Sequence, residues 1–114
     1  MVEKKKYVPQ KGDVVWVNLD PAAGHEQKGR RPALVISAIK YNAASGMCLV
    51  CPITSVVKTY PFIIELEEKQ KTKGAILCDQ IKSIDWRARK VTYVEKINKK
   101  ILENILERIS LLIS

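Results

Sequence analysis

The hydrophobic residues of this chain fall into short runs that are separated by polar turns. Each run is five to eight residues long and rich in Val, Ile and Leu, a pattern typical of β-strands. Glycine, proline and charged residues between the runs supply the turns. The pattern predicts six strands, over residues 14–19, 32–39, 47–54, 61–66, 74–78 and 90–95, with residues 79–84 either extending the fifth strand or turning.

The last segment has the period of a helix. Its apolar residues recur at spacings of three and four, which places them on one face, and Asn98 is a suitable N-cap. A helix of this kind packs its apolar face on the preceding sheet. The predicted face consists of Ile101, Leu102, Ile105, Leu106, Ile109, Leu112 and Ile113.

These elements predict one mainly β domain over residues 1–114. Short strands followed by a single helix indicate a small antiparallel barrel or half-open sheet, and SH3-like barrels fit this size. We interpret residues 1–11 as a loose charged arm and residues 41–46 as a turn or one short helical turn. Residues 20–31 form a polar loop of a length that is usually functional or disordered.

The composition is strongly basic, with a formal net charge of +8. Such a charge indicates an anionic partner, for which nucleic acid is the commonest candidate and an acidic protein the alternative. No apolar run approaches the ~20 residues of a membrane span, so we expect no membrane insertion.

The cysteines do not predict a metal site. Cys48 and Cys51 have the spacing of a zinc motif, but residues three apart in a strand face opposite sides of the sheet. We expect reduced, buried thiols at both positions and at Cys78. An odd number of cysteines and the absence of a signal peptide predict a cytoplasmic protein.

The loop over residues 24–32 is the strongest candidate for chemistry. Cleaving a phosphodiester without a metal requires a group that takes the 2′-hydroxyl proton and cations that stabilise charge on the phosphorus oxygens. Glu26 or His25 can serve as the base, and Arg31 can bind the phosphate. A solvated loop with an Arg–Glu pair is the structural alternative. The single histidine of the chain excludes a ribonuclease mechanism that uses two histidines within one chain.

Three further features have both a functional and a structural interpretation. Thr54 and Ser55 follow a strand and can donate to phosphate or simply cap a turn. Residues 80–89 interleave basic side chains with Trp86, which suits single-stranded nucleic acid unless the indole is part of the core. Trp16, Lys58 and Tyr60 can line a groove, although a strand tryptophan is more often packed. The nucleotide-binding glycine motifs and the HExxH zinc motif are absent.

The order of these motifs resembles the MazF/PemK toxins of bacterial toxin–antitoxin pairs, and the MazF branch in particular. The likeness extends from Tyr7 to Arg89. Its most specific parts are the run GHEQKGRRP over residues 24–32 and the run DQIKSIDWRAR over residues 79–89. Tyr41-Asn42, Gly46-Met47-Cys48-Leu49 and Pro52-Ile53-Thr54-Ser55 continue it.

The resemblance implies an SH3-like antiparallel barrel of the CcdB/MazF type, paired as a homodimer. It also implies metal-independent, sequence-specific cleavage of single-stranded RNA, chiefly messenger RNA, leaving 2′,3′-cyclic phosphate and 5′-hydroxyl ends without a cofactor. The catalytic arginine, threonine and loop glutamate of the family fall on Arg31, Thr54 and Glu26. Residues of the RNA groove fall on Asn18, Leu19, Lys58, Tyr60, Gln80 and Lys82.

The implied protein partner is an antitoxin with a disordered acidic tail, which fits the basic composition. Leu19 departs from the family pattern, because close relatives carry an aromatic residue there. The rival interpretations are a gyrase-poisoning toxin of the CcdB type, a non-catalytic nucleic-acid-binding module, and a basic SH3-like adaptor. A gyrase poison lacks the EQxGxRP loop that this chain has.

Overall fold

The computed structural model describes residues 6–20, 29–56 and 59–114. Within them the chain forms antiparallel strands and two helices, so the predicted mainly β fold with a C-terminal helix is confirmed. The elements are β1 Asp13–Asn18, β2 Arg30–Val35, α1 Ile39–Ser45, β3 Met47–Thr54, β4 Ile63–Glu65, β5 Ala75–Leu77, β6 Lys82–Asp85, β7 Thr92–Lys96 and α2 Lys99–Ile113. The strands pair in the order β4-β5-β3-β2-β1-β7, and β6 also pairs with β3.

Strand β3 is the centre of the sheet. One of its edges pairs with β2, while the other edge pairs first with β6 and then, at its last two residues, with β5. Of the two alternatives for residues 79–84, the turn is correct at the start, where Gln80 N–H donates to the Leu77 carbonyl. The extension of the fifth strand is wrong, because residues 82–85 form a separate strand, β6, which pairs with β3 and is not among the six predicted strands.

The two faces of the sheet carry two separate hydrophobic cores. One face packs against α2 and contains Cys51, and the other packs against Trp86 and contains Cys48. The prediction that these two cysteines face opposite sides is therefore confirmed. Trp86 is only 6 % exposed and its Nε1–H donates to the Asn42 carbonyl, so the structural interpretation of this indole holds.

Helix α2 begins as predicted at Asn98, whose side chain accepts from the N–H groups of Lys100 and Ile101. Ile105, at the middle of the predicted face, is fully buried. The prediction is wrong for the last turn, where Leu112 and Ile113 are exposed and pack in neither core. Neither helix of the described chain has the length and apolar character that crossing a bilayer demands.

The predicted loose arm is wrong for the described residues that precede β1. Pro9 is fully buried, and the Tyr7 hydroxyl donates to the carboxylate of Asp13. Asp13 is itself buried, accepts from Gln10 N–H and pairs with the ammonium group of Lys96. A buried carboxylate needs such partners, and these contacts fix the segment against β7.

Helix α1 is longer than the turn or single helical turn that the sequence predicts over residues 41–46. It begins at Ile39, ends at Gly46 in the left-handed conformation, and carries one fully buried residue, Asn42. The Asn42 amide donates to the carbonyls of Pro9 at 2.7 Å and Ser37 at 3.1 Å, and its oxygen accepts from the Ser37 hydroxyl at 2.6 Å. Ser37 Oγ in turn accepts from Leu49 N–H of β3.

We expect Asn42→Ala to lower the free energy of unfolding by about 2–4 kcal/mol, because it leaves several buried polar groups without partners. Urea denaturation measures the change. Asn104→Ala is the matched control, because Asn104 is exposed on α2 and its loss should change stability by less than about 0.5 kcal/mol. An equal effect of both substitutions would contradict the structural role of Asn42.

Candidate active site

An open groove of about 600 Å³ lies where β2 begins and β3 ends. Its lining is mostly polar. It includes Arg31 and three other residues that the family resemblance selected, namely Thr54, Tyr60 and Gln80. The lining residues are Arg31, Thr54, Ser55, Val56, Thr59, Tyr60, Ile63, Leu77, Asp79 and Gln80. The groove brings a guanidinium and hydroxyl groups, which can bind phosphate, to one surface with a carboxylate, which can accept a proton.

Strand register places Arg31 near Thr54, although 22 residues separate them in the sequence. In the β2–β3 pairing Ala33 lies opposite Pro52 and Leu34 opposite Cys51. Continuing this antiparallel register by two residues sets Arg31 across from Thr54. The two side chains therefore reach the groove from neighbouring strands.

Thr54 is held from two sides. Its side chain is 6 % exposed, and its Oγ1 accepts from Val56 N–H at 3.1 Å, which leaves the hydroxyl hydrogen able to donate to a bound phosphate. Behind it, Gly74 adopts a φ of +119°, and a Cβ at Gly74 would lie 2.1 Å from the Thr54 carbonyl oxygen. Only glycine permits this approach of β5 to the end of β3.

Tyr60 and Asp79 form a pair at the rim of the groove. The Tyr60 hydroxyl donates to Asp79 Oδ2 at 2.9 Å, and this hydrogen bond, with the carboxylate charge, raises the pKa of the phenol. Tyr60 also contacts Phe62 edge-to-face. Asp79 was not singled out as a functional residue from the sequence, although it follows directly after a buried strand, where polar groups often line a site.

The three cysteines take no part in this groove. Burial raises the pKa of the Cys48 and Cys51 thiols to about 12 and that of Cys78 to about 11, so all three are un-ionised at neutral pH. Within residues 6–20, 29–56 and 59–114, no three His, Cys, Asp or Glu side chains converge in the manner of a metal site.

The comparisons with known proteins identify the family. Residues 10–113 match the model of the PemK-like, MazF-like toxin of type II toxin–antitoxin systems. The chain belongs to this toxin family.

Two relatives show how close the match is. The endoribonuclease toxin MazF of Escherichia coli K12 is 44 % identical over 108 residues, covering 95 % of this chain and 96 % of MazF. The Escherichia coli endoribonuclease PemK is 32 % identical over 115 residues, covering 97 % of this chain and 86 % of PemK. Identity is greater to MazF, the branch that the sequence motifs favoured.

Solved structures of the family have the same fold. MazF (Form-I) from Deinococcus radiodurans superimposes with a TM-score of 0.91 at 40 % identity, covering 95 % of this chain and 98 % of that one. A MazE–MazF complex (Form-II) from the same organism gives a TM-score of 0.85 at 34 % identity, covering 96 % and 98 %.

The structure divides the residues that the family pattern assigned. Arg31, Thr54, Tyr60 and Gln80 line the groove, whereas Glu26 and Lys58 lie outside the described residues, as does His25, the alternative base that the loop sequence offers. The remaining three assigned positions need separate descriptions.

Leu19 lies in the core with 2 % exposure, so its side chain offers no surface to a base. Lys82 is half-buried on β6 opposite Val50, outside the lining of the groove. Asn18 lines a different groove, together with Arg30 and Arg89. Sequence reasoning could not separate these positions, because the register and curvature of the sheet decide which groove a strand residue faces.

Proposed function

We propose that this chain is an endoribonuclease toxin that cuts single-stranded RNA at specific sequences without a metal ion. The observation that carries the proposal is the convergence of Arg31 and Thr54, the positions of the family's catalytic arginine and threonine, in one polar groove. The net charge of +8 suits a polyanionic substrate. Messenger RNA in the cytoplasm is the proposed target.

The proposed reaction is an internal transesterification. The 2′-hydroxyl oxygen attacks phosphorus, its proton passes to a base, the bond from phosphorus to the 5′ oxygen breaks, and that oxygen gains a proton. The products carry a 2′,3′-cyclic phosphate and a 5′-hydroxyl. Charge develops on the non-bridging oxygens during the attack, and preorganised donors stabilise it.

Arg31 and Thr54 supply those donors in the proposed mechanism. The planar guanidinium of Arg31 can donate two parallel hydrogen bonds to phosphate, and the Thr54 hydroxyl can donate a third. A carboxylate is the proposed proton acceptor. Asp79 lines the groove among the described residues, and Glu26 is the loop glutamate of the family pattern.

We propose two further properties from the family. The first is a homodimer, because one small barrel offers a short groove and two copies build a longer one. The second is an antitoxin partner with an acidic, disordered tail, supported by the positive charge of the chain and by the solved MazE–MazF complexes of relatives.

We expect cleavage of a mixed single-stranded RNA pool to continue in excess EDTA and to leave 5′-hydroxyl ends. Selective sequencing of 5′-hydroxyl ends shows both which terminal group the reaction leaves and which RNA sequence is cut. Loss of activity on chelation, or products with 5′-phosphate, would disprove the mechanism. An intact RNA pool together with gyrase inhibition would instead indicate a gyrase-poisoning toxin, and RNA binding without cleavage would indicate a non-catalytic module.

We expect Arg31→Ala to reduce kcat about a hundred- to a thousand-fold while RNA affinity changes little, because the donor acts on charge that appears in the transition state. Lys82→Ala tests a position that the family pattern assigns to RNA although it lies outside the lining of the groove; if the assignment is correct, this variant should show the opposite pattern, with weaker binding and a salt slope lower by about 0.7. Single-turnover kinetics and binding titrations measure the two effects. Near-normal cleavage by Arg31→Ala at an unchanged melting temperature would show that Arg31 is not catalytic.

We expect a dimer in solution, with twice the chain mass of 12.9 kDa. Light scattering at micromolar concentration measures this mass directly. A monomer mass at that concentration would contradict the proposed assembly.

A further inference from the structure

A tight turn after β6 holds Lys90 in an unfavourable backbone conformation. Asp85 Oδ1 accepts from the N–H groups of Arg87 and Ala88 and so caps the start of the turn. At its end, Lys90 N–H donates to the Arg87 carbonyl and Val91 N–H to the Trp86 carbonyl, the two bonds of a Schellman motif.

That motif requires a left-handed residue at the position of Lys90, whose φ is +52°. Glycine usually stands there, because every side chain in this conformation approaches the backbone too closely. A strained residue that persists where glycine would relieve the strain is a reason to look for a function of its side chain.

Lys90 lies beside a second groove of about 340 Å³. Three of its lining side chains are cationic and one is a carboxylate, so its net charge is positive. Arg89 has a structural role, since its guanidinium donates to the carbonyls of Asn18 and Asp20. Lys90 and Arg30 are exposed cations of this groove. The full lining is Asn18, Asp20, Arg30, Ala88, Arg89 and Lys90.

An exposed indole adjoins the second groove. Trp16 precedes Asn18 by two residues, so both side chains leave β1 on the same face. The ring is 41 % exposed, and the Arg30 guanidinium carbon lies 5.9 Å from its centroid. Arg30 also donates to the Thr92 hydroxyl, which fixes it between the indole and the groove. Cations beside an exposed aromatic ring are typical of surfaces that bind single-stranded nucleic acid.

The second groove begins at the same end of β2 as the candidate active site. Arg30 and Arg31 are consecutive residues of β2, paired with Asn18 and Val17 of β1. Successive side chains of a strand point to opposite faces, so Arg31 reaches the candidate active site and Arg30 reaches the second groove. An RNA chain that occupies both grooves must therefore pass around the end of the sheet.

We propose that the second groove binds single-stranded RNA outside the cut site, with Lys90 and Arg30 on phosphates and Trp16 stacked on a base. This inference rests on the proposed function. The arrangement favours RNA, because the exposed indole offers a stacking face for a base beside cations that can bind phosphates. The strain at Lys90 is then the cost of placing an ammonium group at this position.

Lys90→Gly is the decisive variant, because it relieves strain while removing the charge. We expect its melting temperature to rise by about 4 °C. Its affinity for a 24-nucleotide uridine RNA should fall about fivefold at 0.1 M salt, with a salt slope shallower by about 0.7. A gain in stability coupled to a loss of affinity cannot result from damage to the fold.

Two matched variants separate charge from strain. Lys90→Gln removes the charge but keeps a side chain in the left-handed conformation, so affinity should fall as in Lys90→Gly without the rise in melting temperature. Lys69→Gly removes the same charge from an exposed turn between β4 and β5, and its RNA affinity should remain near that of the unmodified chain. The same titrations and melting curves measure all three variants.

Tryptophan fluorescence reports occupancy of the second groove. The chain has two tryptophans, and Trp86 is only 6 % exposed, so Trp16 is the one accessible to a base. The 24-nucleotide RNA should quench the emission, and Trp16→Phe should abolish most of the quenching. In cleavage assays, the Lys90 variants should raise KM for a 24-nucleotide substrate and leave an 8-nucleotide substrate, cut at the same site, unaffected.

Equal RNA affinity of the Lys90 variants and Lys69→Gly would overturn the proposal. A second result would also overturn it: unchanged RNA affinity of the Lys90 variants together with altered self-association or altered affinity for an acidic peptide. The second groove would then be a protein interface. The binding titrations do not depend on cleavage. A chain that binds RNA through Lys90 but never cuts it would refute the proposed function and leave this inference standing.

Discussion

The pairing of β3 with three neighbouring strands is the constraint on which the candidate active site depends. Its register with β2 sets Arg31 across from Thr54, and its last two residues pair with β5, which carries the chain on to Asp79 and Gln80. A shift of one residue in this register would turn every β3 side chain to the opposite face. Gly74 protects the arrangement at its most crowded point, because any side chain there would meet the Thr54 carbonyl.

Buried polar groups hold the other end of the same strand. Ser37 accepts from Leu49 N–H of β3, and the buried amide of Asn42 ties Ser37 to the segment at Pro9 that precedes β1. Because the buried side-chain polar atoms of the described chain all have partners, the network stabilises the fold without leaving a desolvated group unpaired. Apolar packing supplies most of the stability of a domain this small, and these bonds select one way of assembling it.

Because side chains alternate along each strand, one sheet contributes residues to several surfaces. On β1, Val15 and Val17 are buried in one core while Trp16 between them is exposed. On β2, Arg30 and Arg31 diverge into two grooves. A basic domain built in this way can contact a polyanion on both sides of its sheet edge, which suits a substrate that is a long strand rather than a small molecule.

The sequence by itself determined the strand segments around the turns, the N-cap of α2 at Asn98 and the separation of Cys48 from Cys51, because these depend on local periodicity and capping. Its motifs also predicted the toxin family, and with it Arg31 and Thr54. Tertiary structure decided that Leu19 and Trp86 are core residues, that Asn18 faces a second groove and that Asp79 joins the first. Hydrophobic periodicity predicts only that successive side chains of a strand point to opposite faces of the sheet. Which groove or core it meets depends on sheet curvature and on partners distant in the sequence, and no local pattern records these.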